Sequence, residues 1–326
     1  MLFDSFGRVH NYLRISLTDN CNLRCFYCMP EEDYEFSSPD RLMRPEEIES
    51  IARVFVEMGV TKIRLTGGEP LVRKDAAEII HRLAALPVEL TLTTNGTRLH
   101  SFVDILESAK VKSLNVSLDT LNPEKFFFIT RRYQFQLVKD NISLLLGKGF
   151  LVKVNVVLIK GINDNEINDF IQWTKDESLH VRFIEFMPFE GNKWSSNKVI
   201  TEEEILNRIN KIYSFNQLSN DKHDTAKKFK VTGHKGTFGI IGTMSSHFCS
   251  GCNRIRLTAD GKLKNCLFSK EENDLLSTLR SGGNITGIIR QSILSKSKEL
   301  GGQFGHDFNR IKPNEIENRS MIGIGG

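Results

Sequence analysis

The chain has 326 residues, 40% of them hydrophobic and 26% charged, which is the composition of an ordinary soluble globular protein. Its formal net charge of +4 is too small, and its basic residues are too dispersed, to indicate a nucleic-acid partner. No secretory signal is visible between Met1 and Asn20, and Lys153 and Lys160 interrupt the best apolar stretch for crossing a bilayer. We therefore expect a cytoplasmic protein that binds neither nucleic acid nor a membrane.

From Tyr12 to about Phe186, short β-branched runs alternate with longer stretches of helical periodicity. This repetition predicts a parallel sheet with crossover helices. The predicted strands are Tyr12–Leu17, Lys62–Thr66, Glu89–Thr93, Ser113–Leu118, Leu151–Leu158 and Val181–Phe186. The predicted helices are one from Pro45 to about Gly59, then Ala76–Leu86, Leu99–Lys110, Phe135–Lys148 and Ile167–Lys175.

Five of the six predicted strands alternate apolar and polar residues, whereas parallel strands buried on both faces usually read as continuous apolar runs. Right-handed crossovers would place the helices on the apolar face. The polar face would then line an incomplete barrel, in which Arg14, Arg64 and Lys153 suit a polyanionic ligand. The alternative is a sheet with one solvated face. The last strand, Val181–Phe186, does not show the alternation.

The character of the chain changes near residue 188. We predict a partial barrel over residues 1–188 and a C-terminal α+β region over residues 189–326. Within the second region, Thr201–Ile212 is predicted to be an amphipathic helix that begins with a capping box. The glycine-containing segment beyond Leu300 has little periodicity and is typical of a loosely held tail.

All six cysteines fall into two triplets, which in a cytosolic protein of this size indicates metal ligation rather than disulfides. A four-iron cluster has one thiolate for each iron, so three cysteines leave one iron open. S-adenosylmethionine (SAM) could chelate an open iron through its amino and carboxylate groups, and an electron would then split it to release a radical. The triplets are Cys21, Cys25 and Cys28, and Cys249, Cys252 and Cys266.

Zinc is the alternative metal for both triplets, because structural zinc sites use four Cys or His ligands. No His or Cys lies near the first triplet to complete a tetrahedron. For the second triplet, His247 could be the fourth ligand and would make a zinc knuckle. If that fourth position is open instead, a second iron–sulfur cluster could bind substrate at its bare iron.

Two motifs resemble those of the radical SAM superfamily. Cys21-x3-Cys25-x2-Cys28, with an aromatic residue at Tyr27, resembles its cluster signature, and Gly67-Gly68-Glu69-Pro70 resembles its glycine-rich SAM-binding turn. With the second triplet, the run from Asn253 to Gly261 makes the chain similar to the MoaA family, the GTP 3′,8-cyclases of molybdenum cofactor biosynthesis. The resemblance implies an α/β fold: an incomplete (βα)6 radical SAM barrel with a C-terminal cluster-binding α+β extension.

The resemblance also implies the reaction. GTP would become (8S)-3′,8-cyclo-7,8-dihydroguanosine 5′-triphosphate, while SAM is cleaved to 5′-deoxyadenosine and methionine. Two 4Fe-4S clusters, an electron donor, a homodimer and transfer of the product to a cyclic pyranopterin monophosphate synthase are implied as well. The alternatives are another radical SAM enzyme with an auxiliary cluster and a different anionic substrate, and a non-catalytic electron carrier or zinc-stabilised binding protein.

By matching motif, the resemblance assigns each cysteine triplet to one cluster and further residues to the ligands. The implied SAM contacts are Tyr27, Gly68, Ser117 and Met187. The implied GTP contacts are Arg14, Arg64, Thr94, Lys153, Arg254, Ile255 and Arg256. The residues implied in catalysis are Arg14, Arg254, Arg256 and the terminal Gly325 and Gly326, since the family's Gly-Gly tail reaches into the active site. Asn20 stands where the family often has arginine, a change that alters the charge near the first cluster.

Overall fold

The computed structural model describes residues 1–29, 34–305, 307–312 and 315–325. The described strands form one sheet in the order β12-β11-β10-β1-β2-β3-β4-β5-β6-β9-β8-β7. They are β1 (Tyr12–Ser16), β2 (Lys62–Thr66), β3 (Glu89–Thr94), β4 (Ser113–Ser117), β5 (Leu151–Leu158), β6 (His180–Glu185), β7 (Phe215–Gln217), β8 (Lys227–Val231), β9 (Thr237–Ile241), β10 (Arg254–Leu257), β11 (Lys262–Lys264) and β12 (Asn273–Asp274).

Crossover helices connect the first six strands, as the sequence predicts. None of the helices in the described ranges is long and apolar enough to cross a membrane. The helices are α1 (Pro45–Glu57), α2 (Ala76–Ala84), α3 (Val103–Ser108), α4 (Pro123–Thr130), α5 (Phe135–Gly147), α6 (Ile167–Trp173), α7 (Glu202–Asn210), α8 (Leu275–Arg280), α9 (Thr286–Leu294) and α10 (Met321–Ile324).

Helix boundaries follow from local chemistry. Helix α1 begins at Pro45, where the missing proline N–H would lack an intrahelical partner anyway. Helix α7 begins with the predicted capping box, in which Glu204 N donates to Thr201 Oγ1 (3.2 Å) and Thr201 N donates to the Glu204 carboxylate (2.9 Å). Helix α4 was not predicted, because its run of three phenylalanines hides the helical period.

The eight central strands are parallel, and the C-terminal region extends the barrel sheet on both sides. Strand β10 pairs in parallel with β1, and β9 pairs in parallel with β6. Short antiparallel strands follow at each end, β11 and β12 beyond β10, and β8 and β7 beyond β9. Residues 1–188 and 189–326 therefore share one open sheet, and the boundary near residue 188 stays a prediction.

One face of this sheet carries the hydrophobic core, and the other face carries the polar residues. Strand β6 alternates too: Arg182 and Ile184 line the polar side, while Glu185 points to the core side and is fully buried. The Glu185 carboxylate accepts hydrogen bonds from the backbone N–H groups of Met244 (2.7 Å) and Glu202 (2.9 Å). A buried carboxylate with such partners can occupy an apolar position, and this hid the alternation in the sequence.

Candidate functional site

The first cysteine triplet lies in the loop that follows β1. The loop turns at Cys25, whose carbonyl accepts hydrogen bonds from the backbone N–H groups of Cys28 (2.9 Å) and Met29 (2.8 Å). Arg24 N donates to Thr130 O (2.9 Å) and so fixes the loop to the end of α4. All three cysteines of the triplet are half-buried and free of disulfides. Three free thiols on one fixed loop suit a cluster that needs three protein ligands.

The thiols of this triplet lie in a protein environment that disfavours their charge. Burial, supplemented by the Glu69 carboxylate, raises the pKa of Cys21 to about 11. Burial also raises the pKa values of Cys25 and Cys28 above the ordinary range, and Asp119 adds to both shifts. A bound cluster replaces the thiol protons, so its charge would stabilise these thiolates. The three free thiols therefore fit an iron–sulfur cluster, whose charge would have to offset their burial.

The glycine-rich turn after β2 packs directly on the backbone of the cysteine loop. Gly68 N donates to Thr18 O (2.7 Å), and a Cβ on Gly68 would lie 2.5 Å from Asp19 O. A Cβ on Gly67 would lie 2.6 Å from Thr18 O. Any side chain at either glycine would therefore push the two backbones apart. Close packing of two loops explains these glycines without a ligand, and SAM contact at Gly68 stays a prediction.

Glu69 joins this turn to the end of β3. Its carboxylate is fully buried and accepts hydrogen bonds from Leu71 N (3.0 Å), Thr94 Oγ1 (2.8 Å) and Asn95 N (2.6 Å). Burial raises the pKa of Glu69 to about 7. Thr94, expected to contact GTP, thus uses its hydroxyl on Glu69, and its side chain is not among those that line the cavity described below.

The other residues expected to contact SAM are Tyr27, Ser117 and Met187. The Tyr27 hydroxyl donates to the Asp119 carboxylate (2.5 Å), and burial raises the pKa of Asp119 to about 6. Ser117 ends β4 and is half-buried. Met187 packs in the apolar cluster that holds Tyr27 and also in the one that holds Cys249 and Cys266. Met187 therefore lies between the surroundings of the two cysteine triplets.

The polar face of the sheet opens into a cavity of about 400 Å³. Strand register places Arg14 on β1 beside Arg256 on β10 and beside Arg64 on β2. Two residues earlier on β1, Tyr12 lies between Arg254 on β10 and Lys62 on β2 and forms a second row with them. Like charges on neighbouring strands destabilise a sheet, so these rows are suited to an anionic ligand. Arg14, Arg64 and Lys153, the residues predicted to face a polyanionic ligand, all line this cavity.

The positive charges that line the cavity lower one another's pKa values. Burial, with the charge of Arg256 next, lowers the pKa of Arg14 well below its ordinary value. Burial and Arg254 lower the pKa of Arg256 to about 10, and burial and Arg182 lower that of Lys153 to about 8. An anion bound among these side chains would reverse the mutual repulsion.

Arg182 and Lys62 line the same cavity, and sequence reasoning missed both. Two buried nitrogens of Arg182, Nε and Nη2, have no hydrogen-bond partner among the described residues. Lys62 lies two residues before Arg64 on β2, so the period-2 rule could have found it. Arg182 was hidden by the broken alternation that Glu185 causes in β6. Both side chains add positive charge to the cavity.

The second cysteine triplet lines the cavity, facing the same space as the cations. Burial alone would raise the pKa of Cys252, but the charges of Arg254 and Lys296 outweigh it and lower this pKa to about 6. Ile255 lies between the two arginines of β10, and its side chain is buried in the hydrophobic core. A contact between Ile255 and GTP would therefore have to come from its backbone.

The zinc alternative for the second triplet needs His247 as a ligand. His247 Nε2 instead lies 3.3 Å from the Glu299 carboxylate. In the part of the chain that the structure describes, no three Cys, His, Asp or Glu side chains come close enough to share one metal ion. A four-iron cluster does not require such convergence, since each thiolate binds a different iron.

The C-terminal tail is held against the site, unlike the loose tail that its composition suggests. Ile324 is buried, and the Gly325 carbonyl accepts a hydrogen bond from Arg256 Nη1 (3.2 Å). Gly325 has a φ of +87°, and a Cβ there would lie 2.7 Å from Ser16 Cβ. Only glycine meets both conditions without strain. Gly326, expected in catalysis, lies outside the described residues.

Arg319 anchors this tail and was not predicted. Its guanidinium donates two hydrogen bonds to the Asp260 carboxylate, each 3.0 Å long, and one to Glu272 (2.5 Å). Asp260 and Gly261 lie in the turn between β10 and β11. The tail is therefore fastened to the hairpin that follows the second triplet.

Two family models match the chain. The radical SAM superfamily matches residues 15–174, and a family described as Molybdenum Cofactor Synthesis C matches residues 179–301. A mitochondrial GTP 3′,8-cyclase of Arabidopsis thaliana is 44% identical over 100% of this chain and 84% of its own length. A GTP 3′,8-cyclase of Peptoclostridium acidaminophilum is 41% identical over 100% of this chain and 98% of its own length.

Other matches are partial or structural. Molybdenum cofactor biosynthesis protein 1 of Mus musculus is 45% identical over 99% of this chain, which spans 51% of that protein. Streptococcus suis SuiB bound to S-adenosylmethionine superposes with a TM-score of 0.60 at 17% identity, over 87% of this chain and 68% of SuiB. That likeness shows the fold alone, whereas the two cyclases match over the full chain. The chain therefore belongs to the GTP 3′,8-cyclase family within the radical SAM superfamily.

Proposed function

We propose that this protein is a radical SAM enzyme that converts GTP to (8S)-3′,8-cyclo-7,8-dihydroguanosine 5′-triphosphate, the first step of molybdenum cofactor biosynthesis. The observation that carries the proposal is one cavity shared by a set of cations and three free thiols. The thiols belong to Cys249, Cys252 and Cys266, and the cations are Arg14, Lys62, Arg64, Lys153, Arg182, Arg254 and Arg256. A triphosphate suits the cations, and a cluster with one open iron suits the thiols.

We assign a 4Fe-4S cluster to each triplet, with SAM at the first and GTP at the second. When bound, the first cluster supplies the electron that splits SAM into methionine and the 5′-deoxyadenosyl radical. Tyr27, Gly68, Ser117 and Met187 would surround SAM. Met187 also lines the GTP cavity, so its side chain would lie where the two ligands meet.

The cations of β10, β1 and β2 would hold the triphosphate. Guanidinium groups donate paired hydrogen bonds to phosphate oxygens, and these bonds strengthen where water is excluded. Arg14, Arg64 and Arg256 lie in one row across three strands, so they can contact one ligand together. Lys153 and Arg182 extend the positive surface along β5 and β6. Arg182 joins the expected GTP contacts because its buried nitrogens need an acceptor.

The tail would complete the catalytic site. Gly325 is bound to Arg256, which places the end of the chain beside the row of arginines. We assign Arg14, Arg254, Arg256 and the terminal Gly-Gly to positioning GTP during hydrogen removal from C3′ and attack on C8. Direct contacts from Thr94 and from the Ile255 side chain have less support, because Thr94 is bonded to Glu69 and Ile255 lies in the core.

The remaining parts of the proposal rest on the family. They are an external electron donor, a homodimer, a cytoplasmic location and transfer of the product to a cyclic pyranopterin monophosphate synthase. The family relationship implies a radical mechanism, and a radical mechanism of this kind needs one electron for each SAM cleaved.

The test is an anaerobic reaction of the reconstituted, reduced protein with SAM and GTP deuterated at C3′. Deuterium in the 5′-deoxyadenosine is the expected result, and it would identify the substrate and the abstracted hydrogen together. Unlabelled 5′-deoxyadenosine would favour a radical SAM enzyme with a different anionic substrate. No 5′-deoxyadenosine, from protein with both clusters verified, would contradict the proposal.

A further inference from the structure

A buried polar network lies against the second cysteine triplet, and its members do not line the GTP cavity. At its centre, Lys296 is 3% exposed. Its Nζ lies 3.5 Å from Cys252 Sγ, 3.0 Å from Arg254 O and 3.5 Å from His10 Nδ1. None of these three partners is a carboxylate. A buried ammonium needs a compensating negative charge, and among these contacts only the cysteine can carry one.

His10 and Asp4 hold this lysine in place. His10 is fully buried, and its Nε2 lies 3.0 Å from the Asp4 carboxylate. Because the Lys296 ammonium donates to Nδ1 of His10, Nδ1 is the acceptor and Nε2 carries the ring proton. Nε2 therefore donates a hydrogen bond to the Asp4 carboxylate. Burial, with the charge of Lys296 next, lowers the pKa of His10 to about 4, which agrees with a neutral ring. Residues of the N-terminal segment, His10 and Asp4, therefore fix the orientation of Lys296.

Arg8 ties the same segment to the other side of the triplet. Its Nε donates to the Asp4 carboxylate (2.5 Å), and its Nη1 donates to the carbonyls of Cys249 (2.9 Å) and Lys298 (2.6 Å). The Asp4 carboxylate thus accepts hydrogen bonds from both His10 and Arg8. Two of the three cysteines, Cys249 and Cys252, are contacted by one continuous buried network that begins at the N-terminus.

The first triplet has a different donor. Uncharged side chains approach the sulfurs there: Asn95 Nδ2 lies 3.7 Å from Cys21 Sγ, and Tyr27 hydrogen-bonds to Cys25. Arg24 lies in that loop, but it donates to the backbone carbonyls of Cys21 and Leu23. The two triplets therefore differ in the charge of the group that bonds to sulfur.

We propose that Lys296 is a positioning residue for the cluster at the second triplet, where its ammonium donates an N–H···S hydrogen bond to Cys252 and raises the reduction potential of that cluster. This inference rests on the proposed function, because it assumes a cluster at that triplet. Reduction adds one negative charge to a cluster, and a nearby cation and a sulfur hydrogen bond both stabilise the reduced form. Lys296 therefore adds to the effect of Arg254, which also bonds to Cys252, in making the two clusters of one chain unequal.

The experiment is a redox titration of the anaerobic, cluster-loaded protein, followed by electron paramagnetic resonance, with SAM added to mark the first cluster. In Lys296→Met we expect the midpoint potential of the second cluster to become more negative. Lys296→Gln, which keeps a donor without the charge, should shift it less, and Lys296→Arg should keep it near the wild-type value. The first cluster is an internal reference whose potential should not move in any variant.

A matched control is Lys139→Met, which removes a half-buried lysine whose Nζ lies 3.3 Å from the centre of the Trp173 ring. This change should leave both potentials unchanged. If Lys296→Met contains about eight irons per chain, the content of two four-iron clusters, and still has the wild-type potential, the role of Lys296 is overturned while the proposed function stands. About four irons in the wild-type protein would overturn the two-cluster proposal and this inference with it.

A measurement on the wild-type protein covers the case in which Lys296→Met does not fold. Protein grown with 15N-labelled lysine is reduced without GTP and studied by pulsed electron paramagnetic resonance. A lysine 15N coupled to the electron spin of the second cluster is expected, because the Lys296 ammonium bonds to one of its thiolates. A spectrum of that cluster without any lysine 15N coupling would contradict the inference.

Discussion

The two cysteine triplets each supply three thiols, but their spacing differs, and so do the charges near their sulfurs. At the first, burial and the carboxylates of Glu69 and Asp119 raise the pKa values of the thiols. At the second, burial raises the pKa of Cys249, but Arg254 and Lys296 outweigh burial at Cys252 and lower its pKa to about 6. The charge and the hydrogen bonds around a cluster set its reduction potential, and the cations near the second triplet also suit an anionic ligand. If both triplets hold clusters as proposed, their surroundings, rather than the type of ligand, would distinguish the two clusters.

The largest difference between the triplets should come from removing one cysteine of each. Cys25→Ala should abolish SAM cleavage, because in the proposed function the electron for that step enters through a cluster at the first triplet. Cys252→Ala should abolish cyclisation of GTP but leave slow, uncoupled SAM cleavage. The measurement is 5′-deoxyadenosine and cyclised product by mass spectrometry from the same reactions. Equal loss of SAM cleavage in both variants would show that SAM cleavage and GTP cyclisation are not assigned to separate triplets.

Removing one cation from the cavity should weaken GTP binding without affecting SAM cleavage. We expect Arg182→Ala and Arg256→Ala each to weaken GTP binding by about 10- to 100-fold, since a hydrogen bond to a charged group contributes roughly 1.5–3 kcal/mol. Equilibrium binding of GTP to the anaerobic protein is the measurement. The control is Arg53→Ala, which removes an exposed arginine that pairs with Glu49 on α1. Wild-type affinity in Arg182→Ala would remove this residue from the GTP site.

A substitution at Gly325 tests whether the C-terminal tail contributes to the cyclisation of GTP. Gly325→Ala should lower the rate of GTP cyclisation by about 5- to 100-fold, because left-handed backbone strain costs roughly 1–3 kcal/mol in a non-glycine residue. Gly323→Ala is the matched control, since a Cβ there would meet nothing closer than 3.6 Å. Rates of GTP cyclisation at saturating SAM are compared. Similar rates in the two variants would argue against a role for the close fit of Gly325.

The smallest effect should be a pH dependence of GTP affinity. Burial and Arg182 lower the pKa of Lys153 to about 8, so the free protein loses this charge as the pH rises through 8. Phosphate favours the charged lysine, and GTP binding should therefore weaken by up to about 10-fold above pH 8. Lys153→Met should bind GTP more weakly at pH 7 and show a flatter profile. A wild-type profile in that variant would assign the pH effect to another group.

Sequence alone determined much of this protein, because the informative signals are local or periodic. The six cysteines and their spacing predict two cluster sites, and the alternation of Arg14, Arg64 and Lys153 predicts a cationic barrel face that does line the cavity. Strands β2 and β5 have the predicted bounds, and the other four barrel strands differ by one residue at one or both ends. These features depend on a few neighbouring residues, whose order the sequence states directly.

Only the tertiary structure decided which distant residues meet at the site. Lys296 bonds to Cys252 across 44 positions, Arg256 to Gly325 across 69, and Arg8 to Cys249 across 241. The addition of β9 and β10 to opposite edges of the sheet brings these segments together. Period and motif describe neighbours along the chain, whereas such contacts arise from packing between segments far apart in sequence. The charge around each triplet is therefore a property of the fold.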